Sequence, residues 1–197
     1  MASVPVGELD DLMRLILYSV NATDGKAMYG THLQKIIFRI LKIIDADPET
    51  FDYRPHFYGP HSDAVEEEKK SLEEIGYLTE RNGKIHIVES EAENVGLIKP
   101  PSAEYGFRIK TMIRDLDALS RPELLLMIYS DDIESTGGYY LENSDVKDEI
   151  MADRESIAMG MFKGKKVSLE RASELAGMDI RTFRERLIKK YGAIYDD

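Results

Sequence analysis

Asn82-Gly83 stands between two short runs, Leu78 to Arg81 and Lys84 to Val88. Both central positions of a two-residue hairpin turn need positive φ, which Asn and Gly tolerate best. The dipeptide therefore predicts an antiparallel hairpin, and a lone hairpin must pack on other elements to persist. Three helical stretches precede it. Leu9, Leu12, Met13, Ile16 and Val20 recur at helical spacing. Thr31 is placed to cap a second helix with the face Leu33, Ile36, Ile37, Ile40, Leu41 and Ile44, dense enough for the centre of a core. Asn21 to Gly30 reads as the turn before it. Ser62 caps a third helix that runs to about Ile75 and stops at Gly76.

Three helices followed by a hairpin is the order of a winged-helix domain, expected over residues 1–99. Phe51 to Tyr58 reads as extended, leading into the turn Tyr58-Gly59-Pro60. Val95 to Pro101 reads as a linker closed by two prolines. A helical connector over 100–145 follows. It holds a helix from about Ala103 to Leu119, along Tyr105, Ile109, Met112, Ile113 and Leu116. A second, short helix restarts at Ser120-Arg121-Pro122, with Ser120 as cap and Pro122 early in the first turn. Ile133 to Ser144, with Gly137-Gly138, Tyr139 and Tyr140, reads as a loop. Asp145 to Phe162 reads as one helix along Val146, Ile150, Ile157 and Met161. The fold class expected is mainly α with a small β hairpin (α+β).

Of the 197 residues, 43% are apolar, enough for a sizeable core. The chain has no cysteine, which excludes disulfides, thiolate metal sites and a cysteine nucleophile. The start, MASVPVGELDD, has neither a basic segment nor a long apolar run, and no apolar stretch approaches the roughly 20 residues that span a bilayer. A cytoplasmic protein without membrane contact is expected.

Charge divides the chain. The net charge is −11, unfavourable for phosphate binding unless the basic residues are grouped. They are grouped. From Lys163 to Tyr191 nine Lys and Arg face four Asp and Glu, which leaves the rest strongly acidic. Within that window Ser168 caps a helix that ends at Gly177, where a left-handed turn is permitted. The cap is sound, but Arg171 rather than Glu at the third helical position leaves the capping box incomplete. A second helix runs from near Asp179 through Lys190, with Phe183 and Leu187 turned inward and small Ala172 allowing close approach. Helix, glycine turn and helix is a helix-turn-helix pattern, expected within a domain over 146–197.

The segment KKVSLERASELAGMDIRTFRERLIKKYG resembles the helix-turn-helix of Fis-like regulators. It is more similar still to small prokaryotic antitoxin-like proteins that end in an "SLgkAAELAG" element, a second helix and a short strand. That strand would be Ala193-Ile194-Tyr195, and Ser173 stands where alanine is usual. The resemblance covers about the last 35 residues and implies that the second helix enters the major groove of double-stranded DNA. Arg181, Thr182, Arg184 and Glu185 would then face the bases, since Arg binds guanine bidentately and Glu accepts from cytosine. Lys165, Lys166, Arg171, Lys189 and Lys190 suit phosphates.

In the first half, Leu33-Gln34-Lys35-Ile36-Ile37-Phe38, then Tyr58-Gly59-Pro60-His61-Ser62, then Ile75-Gly76-Tyr77-Leu78 resemble, in order, the "LQKLLY" and "YGP" elements of the Panacea antitoxin family. That resemblance implies binding of a protein partner such as a toxin, or an adaptor role. The third helix carries Asp63, Glu66, Glu67, Glu68, Glu73 and Glu74 against Lys69 and Lys70. Such a helix repels phosphate, so the winged half is expected to dimerise or bind protein.

His56 and His61 flank Phe57-Tyr58-Gly59-Pro60, with Asp63 nearby, a residue set usable for a metal or for acid–base work. Its spacing matches no zinc signature, and the turn before Ser62 explains the same residues. No P-loop or dinucleotide fingerprint is present. No catalytic residue, metal or cofactor is expected. The function expected is a DNA-binding transcriptional regulator, a homodimer reading DNA through its tail. The alternative is a protein-interaction module of antitoxin or adaptor type.

Overall fold

The computed structural model describes residues 4–130 and 144–192. The Gly137-Gly138 stretch with Tyr139 and Tyr140, and the expected strand Ala193-Ile194-Tyr195, lie outside the described residues. The fold is mainly α with a small antiparallel sheet.

After a 3-10 turn at Val6–Glu8, α1 spans Asp11–Asn21, capped by Asp10 Oδ1, which accepts from the Met13 amide at 2.8 Å. Strand β1 (Ala27–Tyr29) follows and leads without a break into α2 (Gly30–Ile43). The cap expected at Thr31 is corrected here. Tyr29 holds the cap position and makes no side-chain cap bond. It is the last residue of a strand paired with Lys84, so the chain passes straight from ladder to helix. A 3-10 turn at Pro48–Phe51 leads to β2 (Tyr53–Arg54), which pairs with β3 (His61–Ser62), so most of the expected extended stretch is loop. Helix α3 spans Asp63–Glu74, with Ser62 Oγ accepting from the Val65 amide at 3.0 Å. Gly76, at φ +87°, turns the chain out of it.

The hairpin forms where the sequence places it. β4 (Leu78–Arg81) and β5 (Lys84–Ile87) pair around Asn82 at φ 53° and Gly83 at φ 73°, a turn with both central residues left-handed. β1 adds to the other edge of β5, giving the order β1-β5-β4. The β4 strand packs on α3, and the buried Tyr77 at the turn into the wing donates its hydroxyl to the Val4 carbonyl at 2.5 Å.

A short α4 (Ala92–Gly96), with Val95 buried, occupies the start of the expected linker. Helix α5 (Gly106–Asp117) begins three residues later than expected, because Ser102 Oγ closes a turn with the Tyr105 amide. Helix α6 (Arg121–Ser130) begins after Ser120, whose amide is bound by Glu123 Oε2 at 2.6 Å, the reciprocal half of a capping box. The single helix expected over 145–162 is two: α7 (Asp145–Ala152) and α8 (Arg154–Lys163), broken at Asp153. The break lets α7 cover α6 while α8 turns to pack on α9 (Leu169–Ala176). Helix α10 (Ile180–Tyr191) completes the described chain. Helix α2 is covered by α1, α5 and α6, and α6 in turn touches α7, α8 and α9. One connected apolar core therefore runs from Leu9 to Leu187. No helix among the described residues is long and apolar enough to cross a membrane.

Candidate nucleic-acid interface

Helices α9 and α10 are built by local rules. Ser168 Oγ accepts from the Arg171 amide at 3.2 Å, and Gly177 sits at φ +68° between the helices. Asp179 caps α10, its two oxygens accepting from the Thr182 amide at 3.0 Å and the Thr182 hydroxyl at 2.6 Å. Ala172, Leu175, Phe183 and Leu187 are buried between the helices and the body. Arg154, at the start of α8, donates to the Leu175 and Glu174 carbonyls at the end of α9. Its guanidinium fills the space where a side chain at Gly177 would stand, within 2.1 Å of an added Cβ. Glycine is thus required twice at this turn, for its φ and for the cation packed on it.

With Phe183 and Leu187 facing in, the opposite face of α10 carries Arg181, Glu185 and Lys189 on successive turns, with Arg184 beside them, all exposed. Arg181 Nε lies 3.1 Å from Glu185 Oε1. Thr182 is half-buried and its hydroxyl is committed to the Asp179 cap, whereas Arg181 and Arg184 are exposed. The cations assigned to phosphates are divided. Lys165 and Lys189 are exposed. Lys166 reaches back to Glu123 on α6 at 2.6 Å, Arg171 pairs with Glu174 at 3.0 Å, and Lys190 Nζ lies 3.4 Å from Ser156 Oγ. Arg186, outside the expected set, pairs with Glu155 on α8 at 2.5 Å. Lys163 stacks over Tyr191 with its ammonium 3.9 Å from the ring centre. The Arg171–Glu174 and Arg186–Glu155 pairs are at the surface and each is worth only about 0.2–1 kcal/mol, so phosphates can displace those carboxylates, whereas the Glu123 side chain that holds Lys166 is largely buried. Ile180, Ile188 and Tyr191 are also exposed on α10. Sequence reasoning missed them, because a helix face rich in Arg and Lys reads as polar throughout.

The outward residues of α3 are Asp63, Glu67, Lys70 and Glu74, three acidic to one basic. Two of the three segments that carry the antitoxin resemblance, Leu33 to Phe38 and Tyr58 to Ser62, are physically joined. Gln34 on α2 donates to the Ser62 carbonyl at 3.0 Å and accepts from the Ser62 amide at 2.9 Å. Lys35, almost fully buried, donates to the Pro60 carbonyl at 2.7 Å. Burial, aided by the charge of Arg121, pushes its ammonium down to about 7. Helix α6 holds the other side of this loop: Tyr129 donates to the Phe57 carbonyl at 2.6 Å, and Ser144, ahead of α7, donates to the same carbonyl at 3.1 Å. Gly59, at φ +81°, presses on Ile128, whose Cγ2 would lie 2.7 Å from an added Cβ. Gly59→Ala should cost about 1–3 kcal/mol from backbone strain and collision together. Urea unfolding measures this, and a loss under about 0.5 kcal/mol would show that the loop yields easily.

His56 and His61 have ring centres 5.0 Å apart, and His61 Nε2 lies 3.4 Å from Asp63 Oδ1. Among the described residues no three His, Cys, Asp or Glu side chains converge to hold a metal ion. No family model, curated protein or solved structure matches the chain.

Proposed function

We propose that the protein is a cytoplasmic DNA-binding transcriptional regulator that docks α10 in the major groove of duplex DNA. Its acidic winged half then serves dimerisation or binds a protein partner. The observation that carries this reading is the open face of α10. Phe183 and Leu187 anchor the helix while Arg181, Arg184 and Lys189 are exposed on its other side. The acidic face of α3 argues against the same role for the winged half.

Selection on random duplex pools tests it. Arg181→Ala or Arg184→Ala should cost about 1–3 kcal/mol on the preferred sequence and relax specificity at one position. Lys189→Ala should weaken binding to all sequences alike and shallow the salt dependence by about one unit. Loss of the Arg181–Glu185 pair adds little to these effects, since such helix pairs are worth about 0.3–0.5 kcal/mol. An intact protein that selects no sequence and binds no more tightly at low salt would rule the reading out. Exposed Ile180, Ile188 and Tyr191 support the second reading, a protein-binding module of antitoxin or adaptor type. Under that reading Ile188→Asp removes partner binding.

A further inference from the structure

The N-terminal half contains a cavity that the DNA reading does not use. It has a volume of about 530 Å³ and lies between α1, α2, the Pro48–Phe51 turn and the strap Leu97–Pro101. That volume falls within the ~300–1,000 Å³ of small-molecule sites. Its walls are largely aliphatic, with Leu15 from α1, Leu41 from α2, Ile44 just after it and Ile98 from the strap. A second cavity of about 410 Å³ shares Val6, Gly7 and Leu97 with it, so the space continues past the exposed Leu97 side chain.

Two features give this space a chemical preference. Tyr18, only 9% exposed, lines the cavity, and its hydroxyl has no hydrogen-bond partner among the described residues. An unpaired hydroxyl on the wall of an open cavity is available to donate to an acceptor on a ligand. Burial alone also raises its pKa, which keeps it a donor. The polar lining is otherwise Arg14, Lys99 and Asp11. Arg14 pairs with Asp11 and donates to the Leu9 carbonyl at 2.7 Å, so the Asp11 charge is already balanced. Lys99, exposed on the strap, has no carboxylate partner among the described residues and leaves the rim one positive charge in excess.

We propose that this cavity binds a small amphipathic monocarboxylate, its apolar body between α1 and α2 and its carboxylate between the Tyr18 hydroxyl and the Lys99 ammonium. An aliphatic body matches the walls, and a single negative charge matches the rim. The site lies apart from α10, so its occupancy and DNA binding are separately measurable.

Calorimetric titration of the full chain with sodium decanoate tests this, with 1-decanol and decyltrimethylammonium as chain-matched neutral and cationic probes. Decanoate should bind saturably at one site per chain and raise the unfolding temperature. Decanol should bind more weakly, and the cation should not bind. Tyr18→Phe and Lys99→Ala should each weaken decanoate about 2- to 10-fold, the range of one hydrogen bond, and Lys99→Ala should leave decanol, which has no charge to pair, unchanged. Leu97→Trp, at an exposed position, should occlude the cavity and abolish binding without lowering stability. Absence of saturable decanoate binding overturns the proposal. So does decanol binding as tightly as decanoate, or decanoate binding that neither Tyr18→Phe nor Lys99→Ala weakens.

Discussion

Phe183→Ala should destabilise the protein by about 3–5 kcal/mol, the cost of removing a buried aromatic ring and leaving a cavity. The ring is fully buried, and Leu187 is the other side chain of α10 that is buried with it. Leu187 is then left as the buried anchor of α10, because Arg186 and Lys190 hold it to α8 only through surface contacts. The damage should be regional. Amide exchange should accelerate through α9 and α10, where Ala172 and Leu175 share the same contact, and the β4–β5 hairpin should stay protected. If α10 docks on DNA as proposed, affinity should fall with the loss of order, on all sequences alike. Under the proposed DNA reading Arg184→Ala should change specificity while leaving stability within about 0.5 kcal/mol, as expected of an exposed site. Native-state hydrogen exchange distinguishes the two. A Phe183→Ala protein that unfolds within 1 kcal/mol of the parent would mean that α10 is held by something other than its apolar face.

What the sequence made legible is what local chemistry decides. Asn82-Gly83 requires left-handed φ at both positions, Gly76 and Gly177 end helices for the same reason, and Ser62 and Ser168 cap amides three residues on. Strand β1 was not legible. Ala27-Met28-Tyr29 is too short to show alternation and becomes a strand only by pairing with β5, far along the chain. The break at Asp153 has no Pro or Gly to announce it and follows from α8 packing on α9 rather than on α6 alone. At the candidate site, exposed Arg181 and Arg184 followed from helical spacing once Phe183 and Leu187 were placed inside. The engagement of Lys166 did not, since its partner Glu123 is 43 residues away. Lys35 sits in an otherwise ordinary helix surface pattern, and only the distant Pro60 carbonyl gives its ammonium a reason to be buried.

That burial makes the stability of the protein rise with pH. The unfolded chain holds the Lys35 proton until about pH 10.4, whereas burial, then the charge of Arg121, bring the folded value down to about 7 against the opposing pull of Glu66. Between these values the unfolded state binds one more proton than the folded state. Stability therefore rises with pH across this window, and below pH 7 the cost of burying the charge is present in full. A difference of this size corresponds to on the order of 4 kcal/mol between pH 6 and pH 10. The neutral amine still has an N–H to give the Pro60 carbonyl, so the clamp survives deprotonation. Other side chains titrate in the same range, and Lys35→Met separates them. Methionine removes the buried charge but leaves the Pro60 carbonyl without its donor, a cost of about 1–3 kcal/mol. The variant should therefore equal or exceed the parent at pH 6 and fall below it at pH 9–10. Urea unfolding at intervals across this range gives the two curves, and curves that run parallel would show that Lys35 keeps its proton in the folded state.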